Sequence, residues 1–367
     1  GLAGMKKRFG VLMAVLLALS VVLAACGGSG SSSGGGAAGS SSPSPSAAQG
    51  GQGGGEKPFQ GLRLKAATHD QKTASYVFTT ALAEIMREQD GVIIDVLPYA
   101  GGIGNIPLVN NGEADFGISF NIAAKWGKEG IVAFEEPHEN IAALGAPMGY
   151  YNIGIIVRKD FKEKHDLKSL ADIKEKKIPV KLITNNPGAL AEVVTRVTLD
   201  AYGLSYDEIK SYGGSVELTT SDVIISQMQS GAADMFITTY SAAHATITEL
   251  SLLVDIDFIP ITEPEVKDKL ADLGFIRDSR YNAAEYGVNQ EFESPGFNVN
   301  YIISLNVDED VAYLLAKRLS ENKEALANAH AIMHEFDPAI AGYSDINGIP
   351  LHPGARRYYE EVGAVDN

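Results

Sequence analysis

Side-chain types that do covalent chemistry occur in this 367-residue chain, but not in working patterns. His330 and His334 stand four apart, so on a helix their imidazoles would share one face, a spacing that suits zinc. Ala331 occupies the place where a metalloprotease carries glutamate, and no third ligand is evident, so the pair reads as helix surface. No Gly-x-Ser-x-Gly elbow and no Walker-type phosphate loop occurs. Gly101-Gly102-Ile103-Gly104 lacks the third glycine of a dinucleotide fingerprint. The lone cysteine, Cys26, excludes a disulfide framework and a multi-thiolate metal site. The expectation is no catalytic residue, no metal and no cofactor.

Residues suited to holding a ligand gather in loops that enter helices, where free backbone N–H groups and the helix dipole favour an anion. The first loop, Thr68-His69-Asp70-Gln71-Lys72-Thr73-Ala74-Ser75-Tyr76, carries Lys72. Its ammonium is either a carboxylate partner or a solvated surface charge. Thr73 and Ser75 either cap the helix or touch a ligand, and Tyr76 either lines a pocket or fills core. Gly102 lies in a glycine-rich entry to a helix at Asn105, which either lets backbone approach a ligand or only makes a tight turn. Further on, Asn185, Asn186 and Gly188 open another helix, two turns into which Arg196 is spaced to pair with Glu192. Tyr240 follows Thr238-Thr239 at a strand end and is placed to close over a ligand.

These loops need a scaffold of alternating strands and helices. Strands are expected at Leu62–Ala67, Val92–Leu97, Asp115–Ser119, Ile141–Leu144 and Ile153–Val157, with helices at Thr73–Gln89, Asn105–Asn111 and Asn121–Lys128. A second series follows: strands Val180–Ile183, Asp234–Ile237 and Leu252–Ile256, with helices Ala189–Tyr202, Val223–Gln229 and Ala242–Glu249. After a strand at Tyr301–Leu305 the pattern is helical to the end. The halves echo one another, since Glu113-Ala114-Asp115-Phe116-Gly117-Ile118 and Ala232-Ala233-Asp234-Met235-Phe236-Ile237 each follow a helix ended by glycine. Ligands of open α/β sheets bind outside the carboxyl ends of the strands, and two such edges facing each other make a cleft. The expected fold class is α/β, two-lobed and like the type II periplasmic binding proteins, with helices on both faces of two sheets. Residues 59–152 plus about 300–367 are assigned to one lobe and 153–299 to the other, with the hinge near Ile153–Val157 and Tyr301–Leu305.

The formal net charge is −16, which repels phosphate backbones and excludes nucleic acid as a partner. The start of the chain reads as an address. Gly1–Gly4 ahead of Met5 read as a tag or misplaced start; Lys6, Lys7 and Arg8 then precede an uncharged apolar run from Phe9 to Ala25. The run is short for a membrane span and ends in Leu23-Ala24-Ala25-Cys26-Gly27, which resembles the lipobox of bacterial lipoproteins. That resemblance implies cleavage after residue 25 and a lipid on Cys26. Losing three positive charges would take the mature chain from −16 to −19. Residues 26–58 read as a lipidated tether, because 12 of the 29 residues from Gly27 to Gly55 are glycine and 9 are serine.

The residues from Ile349 to Gly363, Ile-Pro-Leu-His-Pro-Gly-Ala-Arg-Arg-Tyr-Tyr-Glu-Glu-Val-Gly, are similar to the HPGA-x-RYY-x-E-x-G ending of the TAXI group of TRAP-transporter solute receptors. Gly112–Ser119 followed by Asn121, and Leu170-Ala171-Asp172-Ile173-Lys174, also resemble that group. The resemblance implies a lipid-anchored, extracytoplasmic receptor that delivers a small carboxylate, glutamate-like or dicarboxylate, to the membrane subunits of a TRAP-type secondary transporter. It places Asn121 at a polar ligand position. His352 within the ending reads as structural, holding the last helix. The first loop departs from the group, having no glycine and one tyrosine, and the second reads Thr184-Asn185-Asn186-Pro187-Gly188-Ala189 where the group tends to Gly-Ser-Gly-Thr. A substrate-binding lipoprotein of an ABC importer and a ligand sensor for a membrane signalling protein share the two-lobed form and stand as alternatives. An enzyme of the same fold would need a catalytic set that the sequence lacks.

Overall fold

A single long strand belongs to both halves of the fold. The computed structural model describes residues 55, 57–99, 101–282, 286–287 and 291–366. Cys26, the apolar run before it and most of the Gly/Ser stretch lie outside the described residues. In chain order, the first half is β1 (Arg63–Ala67), α1 (Ala74–Asp90), β2 (Ile93–Leu97), α2 (Asn105–Asn110), β3 (Phe116–Phe120), α3 (Asn121–Glu129), β4 (Ile141–Gly145) and β5 (Tyr150–Arg158). Next come α4 (Lys159–Lys164), α5 (Leu170–Lys176), β6 (Lys181–Thr184), α6 (Leu190–Ala201), α7 (Tyr206–Ser211), β7 (Ser215–Leu218) and α8 (Ser221–Ser230). They are followed by β8 (Met235–Tyr240), α9 (Ala245–Leu253), β9 (Ile256–Phe258), α10 (Pro264–Asp272), β10 (Ile276–Asn282) and β11 (Glu291–Ser304). The chain closes with α11 (Glu309–Glu321), α12 (Lys323–Ala329), two short 3-10 turns, α13 (Ser344–Asn347) and α14 (Pro353–Val362).

The first lobe is the sheet β2-β1-β3-β11 with β4 beside β11, and the second is β11-β5-β8-β6-β7 with β9 and β10 at its side. β1, β2 and β3 are parallel, as are β6, β7 and β8, while β11 and β5 run antiparallel to them. Parity assigns the faces. Phe116, Ile118, Val299, Tyr301 and Ile303 face the core built with Phe78, Leu82 and Met86 of α1, whereas Ala67 and Ile302 face α2 and α3. Sheets buried on both faces need near-continuous apolar strands, and these have them. Thr73 caps α1 through Tyr76 N, and Gly91 ends it with φ 68°, a left-handed conformation natural to glycine.

The residues quoted for the C-terminal resemblance hold the edge of the first lobe. Ala143 N donates to Pro350 O at 2.8 Å and His352 N donates to Ala143 O at 2.9 Å, so 350–352 runs beside β4. His352 is buried; its Nε2 donates to Val307 O at 2.9 Å and its Nδ1 accepts from Gly354 N at 3.1 Å. Burial pushes its pKa down. Buried Tyr359 donates to Leu144 O at 2.8 Å.

Several sequence expectations change here. The chain passes between sheets at Met148–Asn152 and Gly296–Val299, not at Ile153–Val157 and Tyr301–Leu305. Ile153–Val157 pairs with β8 and β9 of the second sheet, and Tyr301–Ile303 with β3 and β4 of the first. Leu252 and Leu253 continue α9 instead of starting a strand, and Leu252 is 81% exposed. His330 ends α12 in an extended conformation and caps the 3-10 turn holding His334, so the two do not share a helix face.

Gly354 is required by a close approach, since a Cβ there would stand 2.0 Å from Glu309 O. Gly354→Ala should therefore force α14 away from α11 and cost about 1–3 kcal/mol by overpacking. Urea unfolding would show a lower midpoint at unchanged slope; a midpoint equal to that of the parent would refute the close approach.

Candidate functional site

Register places the cleft. Val299 of β11 pairs with Phe120, the last residue of β3, and Asn152 of β5 pairs with Tyr240, the last of β8. Asn298 pairs with Tyr150 between them. The strand crossing therefore sits at the carboxyl edges of both parallel sets, where ligands of open α/β sheets bind. The loops after β1, β2 and β3 meet it from one side and those after β6, β7 and β8 from the other.

The first loop is a directed hydrogen-bond chain. Gly102 N donates to His69 Nε2 at 3.3 Å, so the ring proton lies on Nδ1 and donates to Ser75 Oγ at 3.0 Å. Ser75 then donates to Thr73 Oγ1 at 3.2 Å, and Thr73 donates to Asp70 O at 2.7 Å. Burial pushes the His69 pKa down, with Asp70 opposing the shift, which keeps the ring neutral. A Cβ on Gly101 would lie 1.9 Å from the His69 ring, and one on Gly102 2.3 Å from the Phe120 ring. These glycines wrap His69 and Phe120.

An aromatic stack floors the crossing. Tyr151 stacks on Phe297 at 5.5 Å between centroids, and Phe120 packs edge-on against both. Phe120 and Phe297 are buried, while Tyr151 is half-buried and its hydroxyl bonds to Ser241 after β8. Burial pushes the Tyr151 pKa up, so it stays a neutral phenol.

In the second lobe, Asn185 Oδ1 accepts from Thr238 at 2.8 Å, and Asn186 and Gly188 are exposed. Gly188 N donates to Glu192 Oε2 at 3.2 Å. Burial alone would raise the pKa of Glu192, but hydrogen bonds from Arg196, Gly188 N and Tyr206 hold it below the usual value. Arg196 and Glu192 pair at 2.8 Å, as their spacing predicts.

The structure thus divides the predicted residues. Lys72, Tyr76, Asn185, Asn186 and Gly188 reach the cleft loops with exposed or half-buried side chains or backbone. Thr73 and Ser75 spend their hydroxyls inside the first loop. Asn105 is fully buried, donating to Ile118 O at 2.9 Å, and frames the loop from behind. Asn121 is fully buried, donating to Gly274 O at 3.0 Å and accepting from Asn298 N at 2.9 Å, so it joins the lobes. Tyr240 is 1% exposed against Phe258 and Tyr286, on the face of β8 that it shares with Phe236, and is core rather than a lid. Asp70 and Glu192 put carboxylates beside the two helix starts expected to favour an anion. Sequence reading missed His69, Phe120, Tyr151 and Phe297; the only local signal was an aromatic closing β3.

Because the folded state prefers neutral His69, its contribution is complete above the unfolded value of about 6.5 and is lost as pH falls through the lowered folded value. His244 and His352 are depressed by burial as well and act in the same direction. The thermal midpoint should fall on acidification below about pH 6.5, and His69→Gln should flatten part of that fall while costing about 1 kcal/mol near neutrality. Thermal scans of both proteins across about pH 5–8 check this; identical pH dependence would remove His69 from the account.

The periplasmic aliphatic sulphonate binding protein SsuA from Escherichia coli is similar at 12% identity and TM-score 0.44, with 82% of this chain and 83% of that one covered. XAC2383 from Xanthomonas citri, bound to ATP, matches at 12% identity and TM-score 0.48, covering 82% and 96%. PhnD1 from Prochlorococcus marinus, in complex with methylphosphonate, matches at 11% and 0.45, covering 74% and 90%. The fold is a mixed α/β arrangement of two lobes sharing β11. A family model covers residues 67–363, from the end of β1 to the glycine that ends α14, and the chain belongs to the NMT1-like family.

Proposed function

We propose that this protein is an extracytoplasmic solute receptor whose lobes close on a small ligand and present it to a membrane importer. The observation that carries the reading is the meeting of two parallel-sheet carboxyl edges at a two-strand crossing floored by Tyr151. Two backbone crossings permit hinge motion, and a ligand touching both lobes favours the closed state by its differential affinity. Family membership supports binding rather than covalent chemistry.

The ligand is a small carboxylate, with Lys72 as counter-charge and Tyr151 beneath its apolar part. Long-range fields oppose an anion at a formal −16, so capture rests on local donors. Lys72 supplies the charged one, and the exposed carboxamide of Asn186 supplies a neutral one. At a hundredfold excess over Kd a true ligand stabilises the protein by about 2.7 kcal/mol. Glutamate, 2-oxoglutarate or a related carboxylate should raise the thermal midpoint and neutral sugars should not. Lys72→Met should weaken binding at least tenfold, about 1.4 kcal/mol, and small-angle scattering should show compaction on binding. Unchanged affinity in Lys72→Met sinks the Lys72 assignment; stabilisation by sugars alone sinks the carboxylate class.

Two importer classes remain as readings, a TRAP-type secondary transporter and an ATP-driven ABC importer. The residues resembling the TAXI group between Ile349 and Gly363 hold the edge of the first lobe. They support the fold and are neutral on how the importer is powered. Uptake in vesicles driven by an ion gradient without ATP selects the first, and uptake that stops without ATP selects the second. Ligand-dependent kinase activity without uptake would make the protein a sensor. The lipid anchor on Cys26 belongs to the same reading: Cys26→Ser should appear as released body or unprocessed precursor. Processed, lipid-free Cys26→Ser protein retained on membranes would refute the anchor.

A further inference from the structure

Three asparagines with fully buried side chains lie along one seam beside the crossing strand. Asn298 and Asn300 project from the same face of β11, two residues apart. Asn347 ends α13 on the segment packed against that face. Each side-chain nitrogen donates to a backbone carbonyl: Asn298 to Ile346 O at 2.9 Å, Asn300 to Asn347 O at 3.0 Å, and Asn347 to Ala341 O at 2.8 Å and Tyr343 O at 2.9 Å. These bonds settle the orientation of all three amides, because exchanging nitrogen and oxygen would set acceptor against acceptor. The three Oδ1 atoms must therefore point elsewhere. Each is buried, and no donor among the described residues reaches it.

Buried acceptors without donors are rare, and three along one seam call for a partner. We infer that the carboxamide oxygens of Asn298, Asn300 and Asn347 form a site for a monovalent metal cation. An all-oxygen set is the coordination of a hard cation. The three are neutral, and no carboxylate among the described residues bonds to them, which disfavours the divalent ions that need charged ligands. The seam also has structural consequence. Asn298 N donates to Asn121 Oδ1 at 2.9 Å, and a Cβ on Gly348 would stand 2.3 Å from Asn121 O, so 346–348, β11 and the start of α3 are wedged together. A cation there ties the crossing strand to the first lobe, on the face of β11 opposite Phe297.

The test is thermal unfolding of the full chain in sodium, potassium and choline chlorides at constant ionic strength, with calcium as a further arm. The midpoint should rise by several degrees and saturate with one alkali cation, and choline should not reproduce it. Asn300→Ala should abolish the dependence. Identical curves in sodium, potassium and choline would overturn the inference and leave ordered water on the three oxygens. A response to calcium alone would overturn the monovalent assignment, and a cation response retained by Asn300→Ala would overturn the site. Should Asn300→Ala fail to fold, the titration of the parent decides alone.

Discussion

One strand shared by two sheets is the constraint from which the rest of the molecule follows. β11 pairs with β10 and β5 in its first half and with β3 and β4 in its second. Side chains alternate, so a slip of one residue would exchange its faces. Phe297, Val299, Tyr301 and Ile303 would then meet the amide seam, and Asn298 and Asn300 would enter the apolar core with α1. The buried bond from Tyr301 to Thr79, at 2.6 Å, would be lost as well. Polar and apolar partners thus fix the same register from opposite sides. Gly296 adds a steric condition, since a Cβ there would lie 2.6 Å from Tyr151 O.

Because the register is fixed, the cleft floor is fixed too. Phe297 stands one residue before the crossing pair, which brings it under Tyr151 and against Phe120. The floor is neutral: an aromatic stack beside a histidine held uncharged by burial and by Gly102 N. Charge stands at the rim, where Lys72 lies two residues from Asp70 and Arg196 is occupied by Glu192, and beside the crossing, where Glu335 accepts from Tyr150 N at 2.6 Å. Discrimination between ligands therefore rests on rim geometry and on fit over Tyr151 more than on net field.

Legibility in the sequence tracks how local the deciding interaction is. α1 was readable because its cap, its apolar spacing and Gly91 all lie within twenty residues. β11 was read only from Tyr301 onward. Glu293-Ser294-Pro295-Gly296 looks like a turn, and only pairing with β10 makes it strand; the register shift between Ile276 and Ser279 falls opposite Pro295, where a proline is tolerated. Tyr240 was misplaced although parity with Phe236 would have assigned it to the helix-covered face. The His69 chain was not legible, because its acceptor role depends on Gly102, 33 residues away. The paired Arg196 and Glu192, one helical turn apart, were legible for the opposite reason.

The residues that carry the resemblance at the C-terminus explain why recognition outruns knowledge of the ligand. His352 must accept from Gly354 N and donate to Val307 O at once, which only a neutral imidazole of fixed tautomer does. Gly354 must lack a Cβ beside Glu309 O, and Tyr359 must reach Leu144 O from inside the core. Each demand comes from closing the edge of the first lobe, and each is met by one residue type. The cleft loops face weaker demands: Asn186 and Gly188 are exposed, and a Cβ on Gly188 would meet nothing within 4 Å. Packing therefore dictates residue identity where the fold is sealed, and leaves it open where the ligand is chosen, so a motif from the seal identifies the scaffold while remaining silent on the solute.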